Sequence, residues 1–286
     1  MKYLKLFRVK HYVKNFIIFL PIVFSGNMLN IAYFATVLLG FLSFNLMASY
    51  VYIVNDIKDV EQDRNHPTKC RRPIASGAIS IARARILGFM SLFVSLLLLA
   101  FLVNRGSNMF IAIYLVAYLL NNVIYTHKLK HIPILDVFSI AIGFVIRVFF
   151  GATIINVEVS DLLYLTIIAA AFYMGYGKRR NEIGITNKAE TRAVLKNYNL
   201  QFLDKSMVIC ATLTIIFYSM WALIMDMESY SSLVMTVPII LIIMMRYSLI
   251  VEGDSDGDPT EVILGDRLLM GLAVIYASLL LIILYW

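Results

Sequence analysis

The chain of 286 residues is 60% hydrophobic and only 15% charged, with a mean hydropathy of +0.80. Soluble domains run about 45–50% apolar and about 25% charged, so an ordinary soluble protein is excluded and the bilayer becomes the expected solvent. Low charge excludes a disordered chain and two cysteines exclude a disulfide scaffold, while the net charge of +7 is spread between apolar runs rather than gathered into a basic nucleic-acid-binding domain. Anionic lipid or phosphate is the expected partner, and nucleic acid is not.

A bilayer core of about 30 Å asks for about 20 apolar residues in helix. About nine runs of that order follow one another. They are Tyr12 to Phe24, Ile31 to Val54, Ala84 to Val103, Met109 to Tyr125, Pro133 to Ile155, Leu162 to Gly177, Met207 to Met225, Leu233 to Val251 and Leu264 to Trp286. The first is short and is expected to begin at the membrane interface. The runs are continuously apolar rather than alternating, which argues against a membrane β-barrel. No repeat or separable soluble segment interrupts them. The expected fold is therefore all-α: one polytopic transmembrane domain over residues 1–286, a bundle capped by cytoplasmic loops.

Orientation follows from the basic residues of the short connections. Lys2, Lys5, Arg8, Lys10 and Lys14 precede or open the first run, and further cations follow the second, fourth, sixth and eighth. The opposite connections carry Arg105 or the acids Glu158, Asp161, Asp226 and Glu228. This pattern predicts an inner-membrane protein with its amino terminus on the cytoplasmic side. The basic lead is not read as a cleaved signal, because no small-residue cleavage pattern follows it.

The first long loop, from Asn55 to Gly77, continues the second run. Asn55, Asp59 and Asp63 recur every fourth residue and share one face if the helix persists. Stacked oxygen ligands without His or Cys suit a hard cation that keeps water and binds phosphate, so magnesium is the expected metal. Asp56 and Glu61 lie off that stripe; Glu61 reads as solvated, and Asp56 as a supporting group. His66, Lys69, Arg71 and Arg72 follow at once. Acids for a metal beside cations for phosphate describe a pyrophosphate site.

The second long loop places Lys178, Arg179 and Arg180 at the end of the sixth run, with Glu182 close behind. A positive-inside anchor and the second wall of an anion pocket both fit this motif. Arg147 lies well inside the fifth run, where a guanidinium costs about 3 kcal/mol or more unless it faces the bundle interior. Asp136 is about three turns away on the same helix, so the partner is expected on another helix or in a bound anion. His127 and His131 are flanked by lysines and read as interfacial. The acids from Asp254 to Glu261 lack the glycine that a calcium loop needs at its turn. Nothing in the sequence supports a nucleophile elbow.

NDIKDVEQDR resembles the aspartate-rich motif of the UbiA superfamily of intramembrane prenyltransferases. HYVKNFIIFLPIVFSG, HPTKCRRPIASG, LKHIPILDV, GFVIRVFFGA, YGKRRNEI and GDPTEVILGDRLL extend the likeness over nearly the whole chain. Together they are similar to one branch, the decaprenyl-phosphate phosphoribosyltransferases. The resemblance implies transfer of 5-phosphoribose from phosphoribosyl pyrophosphate to a polyprenyl phosphate, with Mg2+ held by Asn55, Asp59 and Asp63. Under it Lys14, Lys69, Arg71, Arg72, Lys178 and Arg179 become candidates for the substrate phosphates, with Asp56, Glu182 and Arg147 beside them. The chain departs from the wider superfamily in carrying cations where a second aspartate-rich motif belongs. An aromatic prenyltransferase and a lipid transporter are the rival expectations. Oligomeric state, homo-oligomer included, is left open by the sequence.

Overall fold

The computed structural model describes residues 2–65, 69–185, 193–228, 232–253 and 259–286. No strand occurs among the described residues. Eight long helices succeed one another: α1 Ile31–Lys58, α2 Ile81–Asn104, α3 Ile111–His127, α4 Leu135–Ile154, α5 Asp161–Ile185, α6 Leu200–Glu228, α7 Val237–Glu252 and α8 Arg267–Tyr285. Six of the apolar helical stretches are long and apolar enough to cross a membrane, while α3 is shorter and α5, with a polar last turn, is not among the six. Each expected run is helical over most of its length, and the last is divided at Asp266, with Leu264 on the short helix Pro259–Gly265. Beyond their apolar stretches α1 continues to Lys58 and α5 to Ile185, which carries both charged motifs onto helical ends, and α6 begins at Leu200, ahead of its run.

The first run takes a different form from its neighbours. Residues Val9–Phe19 form a 3-10 helix and Leu20–Phe24 an α-helix with Pro21 in its first turn, where a missing N–H costs nothing. A 3-10 helix rises about 2.0 Å per residue against about 1.5 Å for an α-helix, so this short segment reaches about 30 Å, the thickness of a hydrocarbon core. The tighter winding also repeats every three residues. Tyr12, Asn15 and Ile18 therefore fall along one edge, and each finds a fixed partner.

By Cα packing the chain forms two compact units, residues 1–122 with 146–158 and residues 123–145 with 159–286. In the first unit α1 pairs with α2 through small polar residues. Ser43 Oγ donates to the Ser95 carbonyl (2.9 Å), Ser95 Oγ donates to the Ser43 carbonyl (2.8 Å), and Ser91 Oγ donates to the Leu46 carbonyl (2.7 Å). Lipid supplies no hydrophobic drive between helices, so close approach and such bonds hold the pair. Asn30 caps α1 by accepting from Ala32 and Tyr33 N–H, and Ser80 caps α2 by accepting from Arg83 N–H.

The end of α4 packs against the 3-10 segment at Gly151. A Cβ built there would fall on the Ile18 carbonyl oxygen, so only glycine permits this approach. Gly151→Ala is expected to lower stability by about 1–3 kcal/mol. Thermal unfolding in detergent checks this; an unchanged midpoint would mean that the two backbones separate freely.

In the second unit α5 and α6 form the most extensive pair, and α7 packs on α5, α6 and α8. Its core gathers Val137, Tyr173, Leu203, Met207 and Val251. Gly175 and Gly177 let α5 approach Val137 and Val251 closely. Asp266 caps α8, accepting from Leu269 N–H at 2.7 Å while Arg246 Nη2 donates to its other oxygen at 2.6 Å.

Candidate active site

At the end of α1 the hydrogen-bond register runs on through the acidic motif. Asp59 N–H donates to the Asn55 carbonyl and Asp63 N–H to the Asp59 carbonyl, each at 2.9 Å. Asp59 itself leaves helical geometry (φ −92°, ψ 10°), and one further turn, Val60–Arg64, follows. Asn55, Asp59 and Asp63 thus keep the expected four-residue spacing, with a single flattened turn among them. Asn55 and Asp59 are partly exposed and Asp63 is buried.

Asp56, expected to stand aside from the stripe, is as enclosed as Asp63 and holds the centre of an ion-pair network. Arg8 Nη2 donates to Asp56 Oδ1 at 2.5 Å, and Arg72 Nη1 reaches the same oxygen at 3.1 Å and Asp63 Oδ2 at 2.6 Å. The Arg8 guanidinium also lies 4.6 Å from the Tyr52 ring centroid. Carboxylates withdrawn from water to this degree need paired cations, and here two arginines from distant stretches supply them.

A short strap brings Arg72 to this position. The 3-10 turn Lys69–Arg71 leads into Pro73, whose carbonyl accepts from Ile79 N–H at 2.9 Å, and Gly77 closes the turn at φ 76°. Ile74 and Ile79 pack with Leu6, Ile53 and Val60, which anchors the strap and the amino-terminal helix Lys2–Leu6 to one cluster. Lys69 and Arg71 remain exposed on this strap. His66 lies outside the described residues, as do Asp254, Asp256 and Asp258.

Arg147 obtains its partner from another element. Its Nε donates to Asn15 Oδ1 at 2.5 Å, Asn15 Nδ2 donates to Asn45 Oδ1 at 2.6 Å, and Asn45 Nδ2 donates to the Phe41 carbonyl. The guanidinium also faces the rings of Phe44 and Tyr118, about 5 Å away. Tyr12 hydroxyl meets Ser49 Oγ at 2.9 Å, so the 3-10 segment is clamped to α1 along its whole polar edge. The expectation of a partner on another element is met by Asn15. Lys14 sits on the same segment, partly exposed.

The three adjacent cations of α5, expected either as a positive-inside anchor or as an anion wall, have separate surroundings. Arg179 is fully buried; its Nε donates to Asp136 Oδ2 at 2.6 Å, its Nη1 to Glu182 Oε2 at 2.7 Å and its Nη2 to the Tyr125 hydroxyl at 3.4 Å. Tyr198 hydroxyl donates to Asp136 Oδ1 at 2.7 Å and accepts from Ile134 N–H. Burial, reinforced by that carboxylate, pushes the Tyr198 hydroxyl well above its ordinary pKa. Arg180 Nε donates to Asp204 Oδ1 at 2.6 Å. Lys178 is partly exposed. A guanidinium enclosed by two carboxylates and a phenol ties α5 to the elements that carry Asp136 and Tyr125.

Arg8, Asn15, Asn45, Asp136 and Tyr198 carry more of this architecture than sequence spacing indicated. Asparagines inside apolar runs are costly in a bilayer, and that was the available signal for Asn15 and Asn45. Nothing set Arg8 apart from the other basic residues around it.

A helical chain with six stretches long and apolar enough to cross a bilayer, and an amide-and-carboxylate motif at a helix end, defines an integral membrane protein with a polar motif at the edge of its spans. The chain belongs to the UbiA prenyltransferase family, whose model matches residues 16–270. It is 30% identical over 285 residues to decaprenyl-phosphate phosphoribosyltransferase of Mycolicibacterium smegmatis, covering 93% of this chain and 87% of that protein. The enzyme of the same name from Mycobacterium tuberculosis is 30% identical, with 96% and 91% covered. In fold it resembles the structure of a UbiA homologue from Archaeoglobus fulgidus bound to GPP and Mg2+, with a TM-score of 0.72, 20% identity and 100% and 98% of the two chains covered.

Proposed function

We propose that this protein is a polyprenyl-phosphate phosphoribosyltransferase. It moves 5-phosphoribose from phosphoribosyl pyrophosphate to a long-chain polyprenyl phosphate and releases pyrophosphate. The observation that carries the reading lies within one unit: partly exposed Asn55 and Asp59 at the end of α1, with Lys69, Arg71 and Arg72 on the strap beside that motif. The choice of donor and acceptor is supported by the names of relatives that align over nearly the whole chain. Because the family match runs through both units, we read residues 1–286 as a single catalytic domain.

The donor set suits magnesium. Asn55 would offer an amide oxygen and Asp59 and Asp63 carboxylate oxygens, the hard ligands that such an ion takes beside substrate phosphate. Asn55, Asp59 and Asp63 would hold the ion, and the chemistry it would supply there is neutralisation of charge on the departing pyrophosphate. Lys69 and Arg71 hold phosphate oxygens by charge-assisted hydrogen bonds, with Lys14 of the same unit as a further phosphate contact; Lys178, on the other unit, is read by itself as a phosphate ligand. The anomeric carbon gains oxocarbenium character as its bond to pyrophosphate lengthens. A phosphate monoester, whose second pKa is about 6, is already ionised at neutral pH. It attacks the anomeric carbon without a general base, and direct displacement inverts that centre. Arg147, Arg179 and Glu182 act at one remove by fixing the elements that carry these groups.

The distribution of basic connections supports a cytoplasmic amino terminus and active site in the inner membrane. The decisive assay supplies purified protein with Mg2+, phosphoribosyl pyrophosphate and decaprenyl phosphate, and follows the lipid by mass spectrometry. A lipid-linked phosphoribose is the expected product. Consumption of a prenyl diphosphate with an aromatic acceptor instead, or lipid movement without a new product, would overturn the assignment.

A further inference from the structure

Arg72 touches two acids that differ in what else they hold. Asp56 is gripped independently by Arg8, whereas at Asp63 the short ion pair is to Arg72 itself, at 2.6 Å. The Arg72 side chain keeps 29% of its surface exposed, against 4% for Asp56 and 5% for Asp63, so of the three it is the group with room to move. Its strap is anchored by Ile74 and Ile79, which hold the backbone while the long side chain turns. A divalent ion and a guanidinium repel one another, and both cannot sit close on one enclosed carboxylate at low cost.

We propose that Arg72 is an exchange counter-ion. When a divalent cation enters at Asp63, the guanidinium leaves that carboxylate and takes the pyrophosphate of the donor as its new partner, while Arg8 keeps Asp56 compensated. Metal and donor then favour each other's binding, because the donor receives the cation that the metal expels. Metal alone binds weakly. This rests on the reading of Asn55, Asp59 and Asp63 as the metal-holding set.

The test uses Mn2+ as the probe, its free concentration followed by electron paramagnetic resonance on the full-length protein in detergent. Arg72→Gln is expected to tighten Mn2+ binding in the absence of donor by about tenfold, which is about 1.4 kcal/mol, while raising KM for phosphoribosyl pyrophosphate. Arg72→Lys, which keeps a charge but not the planar fork, is expected to fall between. Equal or weaker Mn2+ binding by Arg72→Gln overturns the exchange. A second measurement needs no variant: phenylglyoxal modification of Arg72 in the unaltered protein, mapped by peptide mass, should rise with Mn2+ alone and fall again when donor is added. No rise at saturating Mn2+ overturns the exchange while leaving the metal site standing. Should Asp59→Asn and Asp63→Asn both leave Mn2+ affinity unchanged, the metal reading fails as well.

Discussion

Asp59→Asn is expected to lower turnover by about 100-fold or more, equivalent to about 2.7 kcal/mol of transition-state stabilisation, with the fold intact. Asp59 sits at the flattened turn after α1 and is partly exposed, so removing its charge disturbs little packing. Asp63→Asn is expected to behave differently. Its carboxylate is buried and pairs with Arg72, so both turnover and thermal stability should fall. Measuring kcat for product formation together with unfolding midpoints separates the two. Full turnover by Asp59→Asn would remove that residue from the metal-holding set.

Asp136→Asn is expected to be among the most destabilising single changes in the chain, costing about 3 kcal/mol. Arg179 and Asp136 are both fully enclosed, so neutralising the acid leaves the guanidinium with Glu182, whose side chain is 21% exposed. The Tyr198 hydroxyl loses a charged acceptor at the same stroke. The damage should appear as a lower unfolding midpoint and poor recovery from detergent extracts, with KM for donor unchanged in the molecules that remain folded. A variant as stable as the parent, with a raised KM instead, would return Arg179 to the list of phosphate ligands.

The acidic motif was legible because its geometry is local. Spacing of four along a helix that continues from an apolar run places Asn55, Asp59 and Asp63 in register, and the backbone bonds from Asp63 to Asp59 and from Asp59 to Asn55 keep it. The conformation of the first run was not legible. An apolar stretch reads the same whether it winds as α or 3-10; what distinguishes them here is the Gly151 contact and the partners of Tyr12 and Asn15, all supplied by other elements. The KRR motif was half legible. Its charge was plain, but adjacent residues on a helix point about 100° apart, so Arg179 turns inward and Arg180 toward Asp204.

Sequence alone determined the solvent, the helices and the family, since hydropathy, run length and motif spacing are properties of neighbouring residues. Tertiary structure decided which charge answers which. Arg8 meets Asp56 across 48 positions, Arg179 meets Asp136 across 43 and Arg147 meets Asn15 across 132. No periodicity reaches over such distances. In a medium where an unpaired charge is so costly, the pairings follow from which side chains the packed helices bring within hydrogen-bonding reach.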